Sequence, residues 1–260
     1  DLMQAMYGRN GEAPIPILAS STPGDCFYVA YEACRIAVKY MTPVMLLTDG
    51  YLANGSEPWI VPDIKKLPPI DVKFADKSNI VDGQFMPYLR KKDTLARPWA
   101  KPGTENLEHR IGGIEKEDVT GNVNYDPENH HFMVKTRALK VQNIANELPP
   151  TDVYGDKSGD LLILSWGGTQ GACRSATEAL VNDGKKVSHI HLRWINPLPN
   201  DLGELLIKFK HVLVPEINLG QLIKIIRAEY LIDAIGLNKV KGKPISSAEI
   251  QENVKKILEK

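Results

Sequence analysis

A guanidinium among turn residues, a glycine loop, a carboxylate followed by glycine and two closely spaced imidazoles are the groups in this sequence with the means to do chemistry. Arg9 stands between Gly8 and Asn10-Gly11, a setting that can offer a two-pronged donor to a carboxylate, although most arginines in such turns are simply solvated. Trp166-Gly167-Gly168-Thr169-Gln170-Gly171 falls between an apolar run and a helical pattern, where glycines let backbone amides approach a phosphate. Its spacing is not G-x-G-x-x-G, and the next apolar run ends near Arg193 instead of an acidic ribose ligand. A tight turn with close helix packing is therefore expected, with an NADP 2′-phosphate at Arg193 as the rival. Asp49-Gly50 with Asn54 has the ingredients of a magnesium–diphosphate motif, but Thr48 precedes the carboxylate and no Asn-Asn pair follows. A turn after a buried strand is expected there, and no metal.

His189, His191 and Arg193 alternate, so they share one face of a strand, and imidazoles two apart can chelate a metal. No third ligand lies nearby, and a polar strip of this kind points to an edge strand or a partner contact. His109 and the pair His130-His131 have no usable ligand spacing. Pro215-Glu216-Ile217-Asn218-Leu219-Gly220-Gln221 ends a strand pattern where doubly wound domains bind ligands. Asn218 with Gln221 makes a helix N-cap, with Glu216 near the helix dipole, so a structural role is expected. Cys26, Cys34 and Cys173 are too few and too scattered for a disulfide framework or cluster ligation, so any iron–sulfur cluster belongs to another chain.

The elements that must position these groups follow from pattern. Ile15–Ala19 is a short strand, and Thr22-Pro23-Gly24-Asp25 supplies a cap, a first-turn proline and an acidic third residue for a helix with Cys26, Ala30, Ala33, Ala37 and Tyr40 on one face. Thr42-Pro43 stops it before a strand at Val44–Thr48. Leu2-Met3-Gln4-Ala5-Met6 opens as if within an element, and a sheet of two strands is incomplete, so further strands are expected outside this chain. From Ile60 to Thr151, Pro, Gly and charges dominate, with Val134–Ile144 a brief candidate for regular structure; so long an irregular stretch is expected to pack over a partner. Strands at Leu161–Ser165, Val187–Leu192 and Val212–Val214 then alternate with helices at Ala172–Leu180 (closed by Gly184), Leu202–Phe209, Leu222–Ile235 and, behind a Ser246/Glu249 capping box, Ile250–Leu258. These repeats predict a three-layer parallel α/β domain. Lysines and arginines balance acids to a formal net charge of zero, which disfavours nucleic acid. The apolar runs are strand-sized and no basic leader precedes one, so no membrane span and a cytoplasmic location are expected.

Taken together, Asp1-Leu2-Met3-Gln4-Ala5 with Arg9-Asn10-Gly11-Glu12, Thr42-Pro43-Val44 through Thr48-Asp49-Gly50, His109-Arg110-Ile111-Gly112-Gly113, Thr120-Gly121-Asn122, Tyr125-Asp126-Pro127 and Val214-Pro215-Glu216-x-Asn218-x-Gly220-Gln221 resemble the alpha subunits of 2-oxoglutarate:ferredoxin oxidoreductases. The resemblance implies oxidative decarboxylation of a 2-oxoacid with coenzyme A, giving acyl-CoA, carbon dioxide and reduced ferredoxin. It implies that residues 1–65 are the second half of a pyrimidine-side thiamine domain, 66–154 an irregular connecting segment and 155–260 a transketolase C-terminal-like domain. Thiamine diphosphate with magnesium and the iron–sulfur cluster would be held mainly by a beta subunit, and none by this chain alone. The activating glutamate would lie upstream of Asp1. Arg9 would contact the substrate carboxylate, and the expected partners are the beta subunit, ferredoxin and a second copy of the chain. The loops Ser165–Gly171 and Arg193–Pro199 depart from the family's forms, which leaves their contacts open. Two other enzyme readings remain: the beta subunit of a lipoamide-linked 2-oxoacid dehydrogenase, and an NADP-binding module using Gly167–Gly171 with Arg193.

Overall fold

The computed structural model describes residues 1–259. Helix α1 (Leu2–Tyr7) buries Leu2 and Ala5 and leads to strand β1 (Ile17–Ala19). Helix α2 (Asp25–Tyr40) starts at the expected place, with Thr22 Oγ1 accepting from the Asp25 amide at 3.2 Å. Its buried side is Val29, Ile36 and Tyr40, whereas Ala30 is exposed. The expected alanine stripe carries less apolar area than the branched residues, which take the core. Met41 adopts a φ of 45° and turns the chain into β2 (Met45–Leu47), parallel to β1. A short helix, α3 (Gly50–Asn54), follows.

The middle segment is less irregular than its composition suggests. After a minimal antiparallel hairpin of β3 (Ile80–Val81) and β4 (Gln84–Phe85), it builds the helix α4 over Pro127–Gln142. The expected brief element at Val134–Ile144 is thus a longer helix that starts earlier. Asp126 caps it by accepting from the amides of Glu128 at 3.0 Å and Asn129 at 2.9 Å, and Pro127 needs no donor partner there. This start signal is of the same kind as Thr22-Pro23. The helix buries only Met133, Thr136 and Val141, too weak a stripe to show as periodicity. The segment also lies across its own chain. Tyr31 donates to the Pro68 carbonyl at 2.7 Å, Trp99 Nε1 to Val38 O at 2.9 Å, and Tyr40 to Glu147 at 2.6 Å.

The last part contains β5 (Val153–Tyr154), β6 (Gly159–Trp166), α5 (Gln170–Asn182), β7 (Val187–Leu192), β8 (Trp194–Asn196), α6 (Leu202–Leu206), β9 (Phe209–Glu216), α7 (Leu222–Tyr230), β10 (Ile235–Asn238) and α8 (Ser247–Leu258). Five strands form one sheet in the order β10-β9-β6-β7-β5, parallel except for β5. Two helix boundaries differ from expectation. The helix from Leu202 ends at Leu206, and Phe209 opens β9. The helix from Leu222 ends when Leu231 takes a φ of 53°, which frees Ile235 to begin a fourth parallel strand. Apolar side chains of either helical or strand register look alike over so few residues. The Ser246/Glu249 capping box forms as expected, with amide contacts of 3.2 Å and 2.7 Å.

Along β6 the side chains alternate between two cores. Leu161 and Ile163 pack with Cys173, Ala176 and Leu180 of α5 and Ile250 and Val254 of α8. Leu162 and Leu164 pack on the other face with Leu222 and Ile226 of α7, and with Leu2, Ala5, Ile17 and Ala19 from the start of the chain. The two ends of the chain therefore share a core. They also share a sheet: β8 pairs antiparallel with β1, Leu18 opposite Trp194, in the order β2-β1-β8. A strand expected outside the chain is in part supplied from beyond residue 155. Leu18 is fully buried beside Val29, Ile36 and Trp194. Leu18→Ala is expected to lower unfolding stability by about 2–5 kcal/mol. In urea, fluorescence and circular dichroism should still report one transition; separate transitions for the two ends would show that the shared core does not couple them.

Candidate functional site

The turns that follow β1, β2, β6, β9 and β10 line one cleft of about 990 Å³, bounded by Ser21, Thr22, Asp49, Gly168 to Gly171, Ile217, Lys239 and Lys243. Carboxyl ends of strands are where α/β sheets gather ligands, because the strand order leaves a crevice there and helix N-termini point into it. Here the crevice is also the seam between the two ends of the chain, and charged groups in and beside it, Asp49 and the Asp25–Arg193 pair, are engaged across that seam.

Asp49 is the first of them. Its carboxylate caps α3 through the Leu52 amide at 3.0 Å and reaches across to accept from the Gly168 amide at 2.8 Å. The glycine loop thus holds a carboxylate from its own chain at the start of α5. A side chain at position 168 would place its Cβ 2.4 Å from Asp49 Oδ2, so glycine is required for this approach. Asn54 turns its amide onto the Gly50 carbonyl at 2.8 Å, away from Asp49. The pair therefore does not fit a magnesium–diphosphate site. Among the described residues, no group of three His, Cys, Asp or Glu side chains is placed to hold a metal.

Arg193 lies past the end of β7 and pairs with Asp25 at the start of α2, and Asp25 also accepts from the Ser21 amide at 3.0 Å and the Ser21 hydroxyl at 2.8 Å. With Gly168 and Arg193 both committed, the NADP reading loses both of its contacts. Glu216 is fully buried and accepts from Trp166 Nε1 at 3.1 Å, Asn218 Nδ2 at 3.1 Å, and the amides of Leu222 at 2.8 Å and Ile223 at 3.2 Å. It, not Asn218, caps α7. Asn218 holds the preceding turn through the Gln221 amide at 2.9 Å, and Gln221 Oε1 in turn accepts from the Met3 amide at 3.2 Å. The structural reading of this loop stands, with a second purpose of anchoring α1.

The histidines of β7 correct the edge-strand expectation. β7 runs between β6 and β5, and both rings turn inward onto Ser165 of β6, whose hydroxyl lies 2.6 Å from His189 Nε2 and 2.8 Å from His191 Nδ1. His191 Nε2 is buried without a partner. A bare lone pair costs less there than an orphaned N–H, so His191 donates from Nδ1 to Ser165 and Ser165 donates to His189. Burial, then the neighbouring ring, then Arg174 push His189 down to about 3, and burial followed by Arg193 pushes His191 down to about 3. Both are neutral spacers in the sheet. What hid this arrangement was the partner serine, which lies on another strand.

Arg9 lies outside the cleft's lining. Its two terminal nitrogens donate to the carbonyls of Ala5 and Ala13, which closes the end of α1 and fixes the guanidinium while leaving other N–H groups unspent. His109 Nδ1 lies 2.8 Å from Leu107 O, and its ring packs against Phe85. His130 pairs with Glu115.

Comparison with known proteins defines the class first. Residues 1–126 match the family model described as pyruvate flavodoxin/ferredoxin oxidoreductase, thiamine diphosphate-binding. Along 99% of its length the chain is 46% identical to the 2-oxoglutarate oxidoreductase subunit KorA of Mycobacterium tuberculosis, covering 39% of that protein. Along its full length it is 30% identical to the 2-oxoacid:ferredoxin oxidoreductase subunit alpha of Saccharolobus solfataricus, covering 42% of it. A solved 2-oxoglutarate:ferredoxin oxidoreductase from Magnetococcus marinus, with 2-oxoglutarate, coenzyme A and succinyl-CoA bound, superposes with a TM-score of 0.90 at 31% identity, over 99% of this chain and 45% of that one. The chain is thus a relative of the 2-oxoacid:ferredoxin oxidoreductase alpha subunits, and it spans about two fifths of the length of the curated relatives named here. No helix among the described residues is long and apolar enough to cross a membrane.

The buried histidines give a pH signature. Unfolded, each takes a proton near pH 6.5; folded, neither does until about 3. Their contribution is therefore fully present above pH 6.5 and is lost as the pH falls from there toward 3. Stability from urea unfolding should drop by roughly 2–4 kcal/mol between pH 7 and pH 5. The drop should shrink by at least half in a His189→Gln/His191→Gln variant; an unchanged drop would assign it to other groups.

Proposed function

We propose that the chain is part of the alpha subunit of a 2-oxoacid:ferredoxin oxidoreductase, which with a beta subunit converts a 2-oxoacid, coenzyme A and oxidised ferredoxin into acyl-CoA, carbon dioxide and reduced ferredoxin. The full-length superposition on the Magnetococcus enzyme carries this reading, and 2-oxoglutarate is the favoured substrate because both that enzyme and the Mycobacterium relative are named for it. Thiamine diphosphate supplies the carbanion chemistry in such a complex. This chain's Asp49 and Asn54 are spent on Gly168, Leu52 and Gly50, which assigns the magnesium–diphosphate end to the beta subunit, and Cys26, Cys34 and Cys173 form no ligand group among the described residues, which assigns the cluster there too. The domain assignment follows: 1–65 as half of a pyrimidine-side unit, 66–154 as the connector and 155–260 as the C-terminal unit, now with the connector strapped to α2 and a strand lent by the third part to the first.

The chain's own contribution is to bind and orient. Arg9, braced by the Ala5 and Ala13 carbonyls, keeps N–H groups free to hold the substrate carboxylate as a fork. A beta subunit would cover the side of the molecule where Phe27, Tyr28, Trp59, Ile60 and Val61 lie exposed, since contiguous apolar surface of this kind marks protein contacts. The enzyme works in the cytoplasm, and a second copy of the alpha subunit completes the assembly.

Co-expression of the complete alpha subunit with its partner should give a complex that reduces viologen only with both 2-oxoglutarate and coenzyme A. In that complex Arg9→Ala should cut kcat/KM by roughly 30- to 1,000-fold, the loss of about 2–4 kcal/mol from a charged fork. Arg9→Lys should recover only part of it. Normal turnover by Arg9→Ala, or oxidation of 2-oxoglutarate by the chain without a partner, would overturn the assignment.

A further inference from the structure

The blocks around Gly112-Gly113, Thr120-Gly121-Asn122 and Asp126-Pro127 take no part in the large cleft; they flank and brace the lining of a second concavity. Gly121 adopts a φ of +70°, and a Cβ there would fall 2.7 Å from the Tyr88 ring, so the 117–123 turn can close tightly on that tyrosine. Asp126 sets the start of α4, whose Met133, Thr136, Arg137 and Lys140 form the facing wall. The space between measures about 200 Å³, and its charged lining is Arg90, Arg97, Lys116, Arg137 and Lys140 against Glu115 alone.

The acids in reach are already spent. Glu115 is held by His130 and by Arg137 at 3.4 Å, and Asp118 is held by Arg90. Among the described residues Arg97 has no carboxylate partner: it lies 4.2 Å over the Tyr88 ring and gives one N–H to the Pro87 carbonyl at 3.3 Å. Lys140 donates to Met41 O at 3.1 Å, and Lys116 to the carbonyls of Arg110 at 3.2 Å and Gly112. A solvated basic face leaves its lysines ordinary. Here burial first, then Arg97, Arg90 and Arg137, push Lys140 down to about 8, so like charges crowd together with their hydration partly removed, which is costly unless an anion enters.

We propose that this concavity is a binding site for a compact phosphate dianion, either free or as the terminal monoester of a metabolite, held chiefly by Arg97 and Lys140 with Arg90 behind them. Two guanidiniums and an ammonium converging from separate elements suit a tetrahedral anion with several acceptor oxygens better than a planar monocarboxylate. The volume is below the usual range for whole small-molecule sites and suits one such group. This site does not depend on the reading of the chain as an oxidoreductase subunit.

The test is isothermal titration of the full chain at low ionic strength with inorganic phosphate, with glycerol 2-phosphate and with acetate. Saturable one-to-one binding of phosphate or of the monoester is expected, the arm that binds identifying the source, with acetate at least tenfold weaker. Arg97→Gln and Lys140→Met should each weaken binding at least tenfold while circular dichroism stays unchanged; if one of them fails to fold, the other decides. No saturable binding in either phosphate arm, equal binding of acetate, or undiminished affinity in the folded variants would overturn the proposal.

Discussion

Leu162 and Leu164 leave β6 on the side where Leu2, Ala5, Ile17 and Ala19 arrive from the other end of the chain, and the rest of the structure depends on that burial. Each fully buried aliphatic side chain contributes roughly 1.5–3 kcal/mol, so the contact is a core in its own right. With it in place, β8 can leave the larger sheet and pair with β1, and the turns at the carboxyl ends of both sheets are brought face to face. The cleft is a by-product of where two hydrophobic surfaces had to meet.

The polar groups at that seam are organised by the same constraint. A buried amide or charge needs a partner, and at the seam the partner often comes from the opposite end of the sequence: Asp49 for Gly168, Asp25 for Arg193, Gln221 for Met3. Groups that look available for ligands in isolation are thereby converted into fastenings. Glu216, buried under four donors around the start of α7, does the same within its own part of the chain. Unspent donors remain on Arg9, whose backbone bonds fix its direction, and in the basic concavity behind Tyr88, where cations outnumber the carboxylates available to them.

Much of the layout was legible in the residues. Local signals have local causes, so the caps at Thr22 and Ser246, the proline stop at Pro43, the apolar runs of β6 and β7 and the turn at Gly184 could be placed from their neighbours alone. The ordered blocks from Asp1 to Gln221 were enough to point to the 2-oxoacid:ferredoxin oxidoreductase alpha subunits as relatives. Less visible was α4, whose cap was plain but whose buried stripe is only three residues, and β10, whose few apolar residues suit a helix tail equally well.

The sequence by itself therefore determined the alternation of elements, the α/β class and the kinship, because each rests on contacts between residues near in the chain or on motifs in fixed order. Only the tertiary structure decided that His189 and His191 face a serine, that the glycine loop closes on Asp49, that Arg193 is paired and that five cations gather around one small concavity. Those outcomes turn on which distant carboxylate or hydroxyl comes within about 3 Å of a donor, and that distance is set by how two cores pack, a quantity that no local pattern encodes.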